Sequence, residues 1–126
     1  MLRSIRLRVL VADDDLAVRT AVCRGLRRHF DVEEVGDGAQ VLACIQAGKS
    51  FDAILMDVEM PVMDGRRALE ALAVMSPALA ERTIIVTGGA STPELQRWIE
   101  GLAPGRVHSK PVAVAVLIAT IEGLAR

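Results

Sequence analysis

Tyrosine is absent from this 126-residue chain, and two phenylalanines with one tryptophan bring aromatics to only 2%. Hydrophobic residues still make up 52%, so the core must be aliphatic, with Phe30, Phe51 and Trp98 as its only rings. An excess of charge is lacking too: fifteen Lys and Arg face sixteen Asp and Glu, a formal charge of -1. That balance offers no electrostatic footprint for nucleic acid or an anionic membrane, and neither is expected as a partner. Cysteine is limited to Cys23 and Cys44, which have no C-x-x-C spacing and fall in segments that read as helix. Buried free thiols are therefore expected in place of a disulfide or a thiolate metal site, in keeping with a reducing cytoplasm. No apolar run reaches the roughly 20 residues of a membrane-spanning helix, and the acids at positions 13 to 15 interrupt any secretory core. Nucleotide-binding glycine patterns, G-x-G-x-x-G or G-x-x-x-x-G-K-[ST], are missing as well. The length fits one domain with one core, spanning 1–126.

What is present is alternation. Short apolar runs exchange with longer amphipathic ones along the whole chain, the signature of βαβ units around a parallel sheet. Arg8 to Ala12 reads as a first strand, followed by a helix with Leu16, Val18, Ala21, Val22 and Leu26 on its apolar face and Arg19, Arg24, Arg27 and Arg28 on the other. Phe30 to Val35 is a half-polar strand suited to a sheet edge, and Asp37 caps a helix that stops at Gly48. Asp52 to Met56 is the third strand, Gly65 to Met75 a helix ended by Ser76-Pro77, and Thr83 to Thr87 a β-branched fourth strand. Ser91 and Glu94 have the spacing of a capping box for a fourth helix carrying Leu95, Trp98 and Ile99. Arg106 to Ser109 is a short fifth strand. Val112 to Leu124 matches both strand and helix periods, and its length together with the βα order favours helix.

In such a doubly wound α/β sheet, ligands lie outside the carboxyl ends of the strands. The first strand ends at Asp13-Asp14-Asp15, the third at Asp57, the fourth at Thr87 and the fifth at Lys110. Each alone has a plain explanation as a cap, a β-former or a solvated cation. Together they place acids, a hydroxyl and an ammonium on one edge. Carboxylates crowded in this way repel one another unless a divalent cation sits among them. All-oxygen donors without histidine or cysteine favour a hard ion, and an open site that keeps waters favours Mg²⁺. A carboxylate beside Mg²⁺ is suited to in-line attack on phosphorus, with Lys110 and Thr87 available to the phosphoryl oxygens.

The strings L-V-A-D-D-D, L-M-D-V-E-M-P-V-M-D-G, I-V-T-G-G and S-K-P, in this order and spacing, resemble the receiver domain of two-component response regulators. The resemblance covers essentially the whole chain. It implies a flavodoxin-like five-stranded parallel sheet of order 2-1-3-4-5 with helices on both faces. It also implies that Asp57 is phosphorylated by a histidine kinase, with Mg²⁺ held by the Asp14 and Asp57 side chains and the Glu59 carbonyl, and with Asp13 acting through water. Thr87 and Lys110 match the family's switch hydroxyl and lysine, and the Lys110-Pro111 bond is expected to be cis. Such a protein is a signalling phosphoacceptor that catalyses only its own phosphorylation and dephosphorylation. Its output is expected through the face made by the fourth helix, fifth strand and last helix. The last helix has only Glu122 and Arg126 as charges, and Val116 is expected to face away from the core.

Two features depart from the family pattern. Val107 occupies the fifth-strand position where an aromatic switch residue is common, and Gly88-Gly89 after Thr87 opens the site to water, which implies a short-lived phosphoryl group. The loop G-G-A-S-T-P resembles receivers fused to hybrid sensor kinases, so the chain is expected to be either a free-standing regulator or one cut from a longer protein. A haloacid-dehalogenase phosphatase would need its nucleophile on the first strand in a D-x-D-x-T/V context, which is absent. A phosphorylation-independent interaction module usually loses an acid or the lysine, and here all are kept.

Overall fold

The structure is a computed structural model and describes residues 6–125. Strands β1 (Arg8–Ala12), β2 (Asp31–Val35), β3 (Ala53–Met56), β4 (Thr83–Thr87) and β5 (Val107–Ser109) form one sheet of order β2-β1-β3-β4-β5, with every pairing parallel. Helices α1 (Leu16–Leu26), α2 (Gly38–Gln46), α3 (Gly65–Met75), α4 (Pro77–Glu81), α5 (Pro93–Glu100) and α6 (Val114–Leu124) make the crossovers, as parallel neighbours require.

Because strand side chains alternate, each central strand feeds two cores. Leu10, Ala12, Ile54, Met56 and Ile85 pack with Val41 of α2, Leu69 and Leu72 of α3, Leu79 of α4 and Ile99 of α5. Val9, Val11, Leu55, Ile84 and Val86 pack with Cys23 and Leu26 of α1 and Leu117 and Ile121 of α6. The central strands are thus buried on both faces, which explains why β3 and β4 read as unbroken apolar runs. Cys23 is buried, as expected, and burial raises its thiol pKa to about 11. Cys44 is only half-buried, because it lies on the rim of α2.

The helix starts are set by side-chain caps. Asp15, Asp37 and Asp64 accept from the amides of Val18, Gln40 and Arg67 at 2.8 to 3.1 Å. The fourth crossover helix corrects the expected cap: Thr92, not Ser91, receives the amide of Leu95, at 3.1 Å. Pro93 explains the shift. Its fixed φ suits the first helical position and holds the preceding residue extended, which is the cap conformation. Pro77 likewise takes the first helical position, though Ser76 before it makes no side-chain cap, and a short α4 begins where the sequence suggested only a stop. The fifth strand begins at Val107 because Pro104–Arg106 forms a 3₁₀ turn, from which Arg106 donates to the carbonyls of Ala80 and Thr83. The ambiguous tail is helical, with Val116 exposed, and Arg126 lies outside the described residues. The Lys110-Pro111 peptide is cis.

Candidate functional site

Asp13 follows β1 directly, Asp57 follows β3, Thr87 ends β4 and Lys110 follows β5. The Lys110 Nζ donates to Asp13 Oδ2 at 2.8 Å and to Asp57 Oδ2 at 3.1 Å, joining the ends of three strands in one contact. Asp14 is exposed beside them, and carboxylate oxygens of Asp13, Asp14 and Asp57 lie within 4.8 Å of one another. One ammonium therefore bridges two of three clustered carboxylates.

Electrostatics follow from that imbalance. Burial pushes the Asp57 carboxyl above its usual value, with the hydrogen bond and charge of Lys110 opposing it and the charge of Asp13 adding to it. Burial also disfavours the Lys110 ammonium, but its hydrogen bonds to Asp13 and Asp57 outweigh this and leave its pKa raised. Asp57 keeps its second oxygen on the Val58 amide at 2.7 Å. Gly65 matters here: a Cβ at this position would collide with the Asp57 carbonyl, so only glycine lets α3 start against this loop.

The acid turn is braced from outside. Arg19 donates from Nη1 to the Asp13 carbonyl at 2.7 Å and from Nε to Glu34 of β2 at 2.9 Å, while Arg27 holds the other Glu34 oxygen at 2.9 Å. The hydrogen bond from Arg19, then that from Arg27, holds the Glu34 carboxyl below its usual range. In the sequence Arg19 was only part of a polar helix face. The available signal was its position one helical turn beyond the Asp15 cap, close to the acid turn.

One predicted site side chain is turned elsewhere. The Thr87 hydroxyl donates to the Gly89 carbonyl at 2.9 Å and accepts from the Gly89 amide at 3.1 Å, so it serves its own loop. Glu59 is expected to contribute its backbone carbonyl, and its carboxylate has a separate partner outside the acid cluster. That carboxylate accepts the Ser91 amide and thereby links the β3–α3 and β4–α5 loops. Between these loops lies an open space of about 420 Å³ bordered by Asp57, Glu59, Lys110 and residues 88–91. The arrangement presents a desolvated carboxylate, a cation and oxygen ligands to a small anionic group arriving from solvent.

A doubly wound sheet with an acid pocket at its carboxyl edge is suited to phosphoryl chemistry on a carboxylate, and the relatives of the chain say which class it is. Residues 9–122 match the response regulator receiver domain family, and the chain belongs to that family, the receiver domain of two-component systems. It is 32% identical over 120 residues to the sensory/regulatory protein RpfC of Xanthomonas campestris pv. campestris, which covers 94% of this chain and 16% of that protein. It is 33% identical over 120 residues to the transcriptional regulatory protein PrrA of Mycobacterium tuberculosis, covering 94% and 50%. The chain thus spans half or less of these curated relatives. Among solved structures, a CheY-like receiver domain protein from Methanospirillum hungatei JF-1 superposes with a TM-score of 0.80 at 29% identity, covering 95% and 94% of the two chains. The family is one of signalling phosphoacceptors, not of classical enzymes.

Proposed function

We propose that Asp57 is the phosphoacceptor and that a histidine kinase is its donor. A carboxylate oxygen of Asp57 attacks phosphorus in line, an O–P bond forms as the P–N bond of the phosphohistidine breaks, and the leaving imidazole takes up a proton. The observation that carries this reading is the Lys110 bridge: a partly desolvated carboxylate held 3.1 Å from an ammonium at the open edge of the sheet. Lys110 then serves an incoming phosphoryl oxygen, and Thr87 reaches one only by releasing Gly89.

The family uses Mg²⁺, and the residues present fit it. Three carboxylates lie within 4.8 Å of one another with one ammonium on two of them, and their oxygens are the donors a hard divalent ion takes. Asp13, Asp14 and Asp57 would hold it together with the Glu59 backbone, and when bound it neutralises charge on the carboxylates and the phosphoryl group. We place the domain in the cytoplasm, where its kinase partner would meet it; among the described residues no helix is long and apolar enough to cross a membrane. We further assign the whole chain to one receiver unit, catalysing only its own modification and its reversal. The face of α5, β5 and α6 is its output surface toward a downstream protein.

Mass spectrometry after incubation with acetyl phosphate tests the assignment. One phosphoryl adduct mapped to Asp57 is expected, dependent on Mg²⁺ and missing from Asp57→Asn. An adduct on another residue, or none with Mg²⁺ binding intact, refutes it.

A further inference from the structure

Helices α1 and α6 lie side by side over the second core, and they do not meet evenly. At Gly25 the helices converge, since a Cβ there would stand 2.8 Å from Val114 Cγ1. Toward the carboxyl edge of the sheet they part and leave a cavity of about 380 Å³. Val11, Leu55 and Val86 of three strands line it, with Val18 and Val22 from α1 and Val112 and Leu117 from the other side. Short side chains leave this space unfilled in a chain already poor in rings. The volume is in the range of small-molecule sites, and the lining is almost wholly aliphatic.

The charged groups at the rim decide what could enter. They are Asp13, Asp57, Lys110 and Arg19. Lys110 is shared between the two aspartates, and Arg19 is committed to Glu34 and the Asp13 carbonyl. An ionic ligand would have to break one of these pairs and desolvate its own charge. An uncharged one disturbs none of them.

We propose that this cavity is a binding site for a small, uncharged, largely apolar molecule of one or two rings, lying against the Lys110–Asp57 pair. The complementarity is of an uncharged ligand to a rim whose two cations are already paired, and of apolar body to aliphatic wall, where burial away from water is the driving force. Lys110, Pro111 and Val112 are consecutive and all line the cavity, so its occupation is felt at the lysine of the acid site.

Indole is a suitable probe, with tryptamine and indole-3-acetate as its cationic and anionic counterparts. Titrated into the ¹⁵N-labelled protein, indole is expected to give saturable amide shifts at Val22, Lys110, Val112 and Leu117, with at least tenfold weaker binding of both charged analogues. Val112→Phe and Val22→Phe fill the cavity from opposite sides and should each abolish the shifts in a protein with an otherwise native spectrum. The comparison among the three probes stands on the unaltered protein if either variant fails to fold. The proposal is overturned by absence of saturable shifts, by equal binding of a charged analogue, or by binding that survives both substitutions. It is overturned too if these amides shift with protein concentration alone, which would give the cavity to a second copy of the chain.

Discussion

Val62 is the one non-glycine residue with positive φ among the described residues. Its φ is +67°, and the Met63 amide reaches back to the Pro61 carbonyl at 2.7 Å, a tight turn centred on an exposed β-branched side chain. Positive φ is a genuine outlier for such a residue and costs on the order of 1–3 kcal/mol. Glycine removes the strain but loses more entropy on folding. Val62→Gly is therefore expected to stabilise the protein by about 1 kcal/mol, seen as a higher urea midpoint at constant m. An unchanged midpoint would mean that the loop relaxes without help. Asp57 makes a second residue-scale case. Its carboxyl is raised by burial, so the fold favours the protonated form and loses stability as pH rises from the usual value of 3.8 through the raised one. In chelator at pH 7, Asp57→Asn should melt above the unsubstituted protein, and the difference should close as pH falls below the carboxylate range. A gap that widens on acidification would contradict burial as the cause.

At the scale of elements, the edge strand β2 and helix α1 are held together through Glu34. This carboxylate is lowered by Arg19 first and Arg27 second, so its contribution is complete above the usual value of 4.5 and is lost as pH falls through the lowered one. Glu34→Gln should cost about 1 kcal/mol at neutral pH by denaturant titration, and progressively less as pH falls through the lowered value. A cost independent of pH would show that shape, not charge, matters there. Elements were also where the sequence was most and least legible. β1, β4 and α3 have the expected bounds because their apolar periods are unbroken and their ends carry an acid or a turn residue. Helix α4 was missed because a proline that ends one helix can equally begin another. The acid cluster and Lys110 were legible from strand ends alone, since parallel topology brings those ends to one edge. The Thr87 hydroxyl and the Arg19 brace were not, because each depends on a loop closing back on itself or on a neighbouring strand.

For the whole molecule the question is how far phosphorylation can shift its state. A charge-assisted hydrogen bond contributes roughly 1.5–3 kcal/mol, and moving an equilibrium from 1:99 to 99:1 takes about 5.5 kcal/mol. Lys110 already has two carboxylate partners, and Thr87 already has Gly89, so both contacts to a phosphoryl group are exchanges. A partial population shift follows. The lifetime of the modified state depends on the β4–α5 loop. Gly89 has φ +128°, where a bulky residue would strain the loop, whereas Gly88 has open space and no such constraint. Gly88→Val should therefore lengthen the aspartyl-phosphate half-life severalfold, followed by loss of the mass adduct after the donor is removed. An unchanged half-life would exclude water access past Gly88 as the limiting factor.

The two margins of the sheet have a consequence for behaviour in a crowd. β2 is D-V-E-E-V, with Glu33 tied to Arg8 and Lys49 and Glu34 to Arg19 and Arg27, and β5 is only three residues long. Neither offers a long, flat, apolar template to a strand from another chain. Copies concentrated on a scaffold or tethered in a row can collide repeatedly without zipping into an extended sheet, so a high local density leaves them dispersed.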